Sequence, residues 1–181
     1  MNKLPGIFRL WQLWLVALIA INPLEMFPAG LQNSTFKTIK YVCFDKPGDG
    51  FIIAAGQQTS AILVDSADYS GVKMVAAHLQ SDIKLVTGTE PVIMNDKNSK
   101  TNNAIIIGTI GKSALIDDLI KSGKINVDDV QGKWEVSLIQ VVDNPFPGIG
   151  KGLIIAGSDT RGTIFVMFDL SAQIGVSPWY W

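Results

Sequence analysis

His78 is the only histidine and Cys43 the only cysteine among 181 residues, so two common sources of chemistry are absent at the outset. A histidine-rich metal site cannot form, a cysteine cluster cannot form, and an intramolecular disulfide is excluded. A nucleophile triad around His78 would need a serine on a sharp elbow, and no G-x-S-x-G occurs. At 100° per residue His78 also falls about 110° from the centre of the apolar stripe of its own helical segment, so it reads as a surface histidine. Cys43 reads as a small, buried or idle thiol, with pairing between chains as the alternative.

Phosphate chemistry fares no better. The run Gly108-Thr109-Ile110-Gly111-Lys112-Ser113 follows a strand and opens a helix, where a phosphate loop belongs. A Walker loop needs four residues between its glycines, and here there are two. A turn with a helix cap is the simpler reading. Gly148-Ile149-Gly150-Lys151-Gly152 precedes a strand instead of following one, so it is a turn and not a dinucleotide fingerprint.

Hydrolysis of a glycosidic bond usually needs two carboxylates at a defined separation. The sixteen Asp and Glu fall mainly in caps, loops and helix faces, and no pair stands out as buried together. No catalytic residue is assigned. Asp159 and Arg161 are the charged pair to watch. They occupy a strand-to-helix loop, on the side of an α/β sheet where ligands tend to bind. The plain alternative is an N-cap beside a surface arginine. Trp179 and Trp181, near the end of the sequence, present aromatic faces suited to apolar sugar faces. These four residues form the candidate substrate-binding set; no metal or cofactor is implied.

The elements that would position them alternate. Residues 51–55 and 61–64 are short apolar runs separated by a Gly56-Gln57-Gln58 turn, and they read as strands. Ser66 to Asp68 supplies N-cap candidates for a helix whose stripe is Val72, Val75, Ala76, Leu79, Ile83 and Val86. Gly88 stands where that helix should stop. A short strand at 91–94, a polar loop at 95–103 and a buried-type strand at 104–107 follow. A second helix is expected over 112–121, with Leu115, Leu119 and Ile120 inward and Gly123 ending it. Residues 134–142 read as a strand, 145–152 as turn, 152–156 as a strand and 161–174 as a third helix. The expectation is an α/β, two-layer domain with a mixed β-sheet and about three helices.

Composition agrees with one packed domain. Apolar residues are 48%, charged residues 17% and the net charge is −1, which argues against disorder and leaves no basic stripe for nucleic acid. The N-terminus differs. Lys3 and Arg9 precede residues 10–21, LWQLWLVALIAI, and Asn22-Pro23 follow. That is the order of a secretory signal, and the run is short of the roughly 20 residues of a membrane span. Residues 1–29 are therefore read as a signal peptide or an uncleaved anchor, 30–49 as a leading segment and 50–181 as the domain. Secretion or export to a periplasm follows.

Two features suggest a missing partner. The third helix is apolar nearly all round: Ile164, Phe165 and Phe168 cover one face, and Val166, Met167 and Leu170 much of the rest. Such a helix is normally buried on both sides. The sequence also ends Pro178-Trp179-Tyr180-Trp181, which would expose a large apolar patch, and invite self-association, unless covered. The alternative is that these rings fold back onto the domain's own core.

Four segments carry a family resemblance: VDSADYSGVKMVAAHLQSDIKLVTG (64–88), AIIIGTIGKSALIDDLIKSGKI (104–125), GKWEVSLIQVVDNPFPGI (132–149) and LIIAGSDTRGTIFVMFDLSAQIGVSPWYW (153–181). In order and spacing they resemble the N-terminal domain of glycoside hydrolase family 115, the xylan α-1,2-glucuronidases. The resemblance implies a non-catalytic domain that supports a following barrel, with a loop lent to the cleft. It implies removal of glucuronic acid or its 4-O-methyl ether from xylan side branches by the whole enzyme. The partners implied are that barrel, absent here, and a glucuronoxylan-type polysaccharide. One departure is Val166, where the family usually has a small residue, and the phenylalanines 165 and 168 stand near family tyrosines. The alternative from another class is a stand-alone secreted carbohydrate-binding or interaction module.

Overall fold

The computed structural model describes residues 40–45, 48, 50–98 and 100–176. The residues read as a signal segment, most of those read as a leading segment, and the terminal aromatics lie outside the described residues. A small hairpin, β1 (Ala54–Ala55) with β2 (Gln58–Thr59), turns at Gly56, whose φ of 59° suits glycine. The main sheet then forms from β3 (Ala61–Val64), β4 (Ile93–Met94), β5 (Thr101–Thr109), β6 (Ser137–Asp143) and β7 (Ile149–Gly157). Its spatial order is β4-β3-β5-β7-β6. The β3–β4, β3–β5 and β5–β7 pairs are parallel, and β6 runs antiparallel to β7 at the edge.

Among the described residues three helices cover the sheet: α1 (Ser70–Thr87), α2 (Ala114–Lys121) and α3 (Thr160–Gln173). The α/β class, the mixed sheet and the three helices are as read from the sequence. The two-layer arrangement expected is corrected to three layers, because the helices occupy both faces of the sheet. Ile62, Val64, Ile105, Ile107, Leu153 and Ile155 point to α1 and α3 in one core. Leu63, Ala104, Ile106, Ile154 and Ala156 point to α2 in a second core. Parallel strands buried on both faces have no polar positions to alternate, which is why AILV, AIII and LIIA read as unbroken apolar runs.

Helix α1 buries Val72, Val75, Ala76, Leu79 and Ile83, while Val86 is partly exposed. It ends where Gly88 takes a left-handed φ of 76° and donates its N–H to the Lys84 carbonyl at 2.8 Å. Its N-cap is Tyr69, with no side-chain cap, so Ser66 to Asp68 do not cap it as expected. Residues 149–152, read as turn, belong to β7, and the strand expected from Trp134 begins only at Ser137.

Helix α3 corrects a second expectation. Val166, Met167 and Leu170 are buried in the core shared with α1, so the bulk of Val166 is accommodated. The face left half-exposed is that of Phe165 and Phe168. They follow Arg161 at i+4 and i+7, one stripe along the helix.

Candidate functional site

In an open α/β sheet, ligands bind beyond the C-terminal ends of parallel strands, where neighbouring strands send their chains to opposite faces. Here β3 leads to α1 on one face and the adjacent β5 leads to α2 on the other. The crevice between them is closed by the protein's own carboxylates. Asp65 accepts the Ala67 N–H at 2.8 Å on Oδ1 and the Ala114 N–H, in the first turn of α2, at 2.7 Å on Oδ2. The buried Asp68 accepts the Tyr69 N–H at 2.7 Å and the Thr109 N–H at 2.8 Å. A helix N-terminus attracts an anion, and that of α2 already faces Asp65.

The phosphate-loop lookalike is thus a turn and a helix start. Gly111 sits at φ 74° and Ser113 is the N-cap. The Ser113 hydroxyl is buried without a hydrogen-bond partner among the described residues, and it packs against Gly108. Any Cβ at position 108 would collide with Ser113 and would lie 2.7 Å from Ile116 Cγ1. The side chain that meets an α2 amide comes from another strand.

The loops beside β7 and β6 are built differently. Asp159 is the N-cap of α3: its Oδ1 accepts the Gly162 N–H at 2.7 Å. Its Oδ2 accepts the Glu135 N–H at 2.9 Å. These backbone donors, Gly162 first, hold the Asp159 carboxyl below the ordinary range. One side chain therefore caps a helix and pins a neighbouring loop. Ser158 adds two further ties, its N–H to the Val136 carbonyl at 2.8 Å and its hydroxyl to the Val136 N–H at 3.1 Å. Gly162 lets the two backbones touch, since a Cβ there would stand 2.6 Å from the Val136 carbonyl oxygen.

On this pinned loop Glu135 adopts φ 57°, the left-handed region that a residue with a Cβ rarely enters. Its carboxylate pairs with Arg161 Nη1 at 2.8 Å, and the Arg161 guanidinium lies 5.5 Å from the Phe165 ring centre. Trp134, next to Glu135, is 77% exposed. The fold thus brings Asp159 and Arg161 together, but with Asp159 committed to backbone amides. The groups facing solvent are Trp134, Arg161 and part of Glu135. Trp134 and Glu135 were not singled out by sequence reasoning; the one available signal was a tryptophan set among Gly132, Lys133 and Glu135 ahead of a strand. Trp179 and Trp181 lie outside the described residues.

Elsewhere, an apolar cavity of about 660 Å3 opens between residues 41–45 and 50–54, the last turns of α1 and α3, and strands β6 and β7. Tyr41 closes part of it and donates its hydroxyl to Asp169 Oδ2 at 2.6 Å. Cys43 lines it too; its thiol is exposed, which removes the buried alternative of the buried or idle thiol expected. Exposed His78 lies on α1. Among the described residues no three His, Cys, Asp or Glu side chains gather as a metal would require.

No family model and no curated protein matches the chain. A solved structure does, that of a family GH115 4-O-methyl-α-glucuronidase, BtGH115A, described as having specificity for decorated arabinogalactans. It is 28% identical over 73% of this chain, with a TM-score of 0.57. The chain spans 15% of the length of that protein. The likeness relates this α/β domain to part of a family 115 glycoside hydrolase.

Proposed function

We propose that this chain is the N-terminal, non-catalytic domain of an exported α-glucuronidase-type glycoside hydrolase. In this reading it supports a catalytic barrel carried elsewhere and lends that barrel's cleft the loop at Trp134 and Glu135. The observation that carries the proposal is the match in both fold and sequence to a small share of a much longer family 115 enzyme. The site chemistry supports it. Asp65, Asp68 and Asp159 each spend both carboxylate oxygens on backbone amides, so all three serve to hold loops and helix starts. The substrate class is a polysaccharide with glucuronic acid or 4-O-methylglucuronic acid branches, and Asp159 acts on it only through the loop it pins.

The half-exposed Phe165 and Phe168 supply an apolar face for the barrel. The test is to read the genomic sequence beyond the Trp181 codon. A barrel-coding sequence, in frame or displaced by a frameshift, is the expected result. A long non-coding stretch would count against the proposal and favour a stand-alone carbohydrate-binding module, the reading to which the exposed Trp134 lends support.

A further inference from the structure

Trp134 is 77% exposed, and the two residues that follow it are firmly held. Residues 135 and 136 are tied to the start of α3 by three hydrogen bonds of 2.8–3.1 Å, from Asp159 and Ser158. The Glu135 side chain is anchored by Arg161. The left-handed conformation of Glu135 is disfavoured for a residue with a Cβ, and the contacts with Ser158, Asp159 and Arg161 hold it there. Such strain persists where surrounding contacts over-determine it, often beside a binding site. Tryptophan in a fixed position gives a large contact area at low entropic cost.

The chemistry around Trp134 narrows the ligand. An indole face attracts the weakly positive C–H face of a pyranose ring, because the ring's π-cloud is electron-rich. Glu135 accepts hydrogen bonds from hydroxyls, and Arg161 donates to them. A carboxylate and a guanidinium side by side thus match two neighbouring sugar hydroxyls. Charge argues against an acidic sugar as the preferred partner: the Arg161 guanidinium is already paired with Glu135, and Asp159 adds a second carboxylate beside it. Lys133 is paired with Asp129 at 3.5 Å. The site therefore offers an incoming uronate no surplus of positive charge.

We infer that Trp134, Glu135 and Arg161 form a subsite for a neutral pyranose, a backbone sugar of a polysaccharide as opposed to its acidic branch. The inference rests on this cluster alone and stands whether or not a barrel accompanies the domain.

Titration of the 15N-labelled full chain with xylotetraose, β-galactobiose or sodium glucuronate, followed at the tryptophan indole N–H signals, tests it. The signal lost in Trp134→Ala identifies the probe; because that side chain is so exposed, the variant should keep the wild-type spectrum elsewhere. The expected result is a saturable shift of the Trp134 signal with a neutral oligosaccharide, with glucuronate no tighter. Binding should weaken about tenfold or more in Trp134→Ala, read from neighbouring amides, as for loss of a central aromatic contact. Glu135→Gln should weaken it less, since stacking survives. No saturable shift with either neutral sugar, binding unchanged in Trp134→Ala, or glucuronate tighter than both neutral sugars would each overturn the inference. None of those outcomes would touch the family relation, which genomic sequence tests separately.

Discussion

Asp159 joins two loops through one carboxylate, so its removal should cost more than an ordinary helix cap. In Asp159→Ala, α3 loses the acceptor for Gly162 N–H and the loop loses the acceptor for Glu135 N–H. A lost cap costs about 1 kcal/mol, and a second lost hydrogen bond of this kind about 1 kcal/mol more. The sum, about 2 kcal/mol, is a large share of the roughly 5–15 kcal/mol that stabilises a domain. With a urea slope of about 2 kcal/mol per M, the unfolding midpoint should fall by about 1 M at unchanged slope. Asp159→Asn keeps one carbonyl oxygen, so it should retain one acceptor and lose about half as much.

The pH dependence follows from the same bonds. The folded-state pKa of Asp159 is depressed, so its contribution is fully present above the unfolded-state value of about 3.9. It is lost as pH falls through the lower folded value. The gap between wild type and Asp159→Asn should therefore be constant near neutrality and shrink in strong acid. A midpoint change below about 0.2 M in Asp159→Ala, or a gap that widens in acid, would refute the double-anchor account.

Three further outcomes follow from particular contacts. Gly162→Ala should destabilise by about 1–3 kcal/mol despite alanine's better helix propensity, since its Cβ would meet the Val136 carbonyl at 2.6 Å; an unchanged urea midpoint would contradict the close approach. Replacing Phe165 and Phe168 by serine should reduce self-association in sedimentation velocity, because both rings are half-exposed; an unchanged profile would clear that face. Residues 1–29 fused to a reporter active only outside the cytoplasm should give signal, and a silent fusion would count against export.

Much of the fold was legible because its signals are local. The runs at 61–64, 104–107 and 152–156 became β3 and the centres of β5 and β7, and the stripe from Val72 to Ile83 became the buried face of α1. What escaped was set by contacts distant in sequence. Ser66 to Asp68 looked like caps for α1, yet Asp68 spends one oxygen on Thr109, 41 residues away. Ser113 is the N-cap of α2, yet its hydroxyl bonds none of the helix amides among the described residues and Asp65 takes the Ala114 amide instead. Trp134 looked like the start of a strand because apolar residues alternate after it. The left-handed turn at Glu135 is held by Asp159, 24 residues on, and no glycine or asparagine occupies that position to announce it. Asp159 and Arg161 were found because a strand-to-helix loop is a recognisable position, but which of the two faces solvent depended on tertiary bonds. For α3, composition showed an apolar surplus without showing which face the core would take.

In the proposed reading this domain serves a glycosidase without performing hydrolysis itself. The most direct measurement is release of glucuronic acid or its 4-O-methyl ether when the purified chain is incubated with glucuronoxylan or a glucuronate-decorated arabinogalactan. No release above a buffer control is predicted with either polysaccharide. Release that rises in proportion to protein concentration and persists through purification would contradict it.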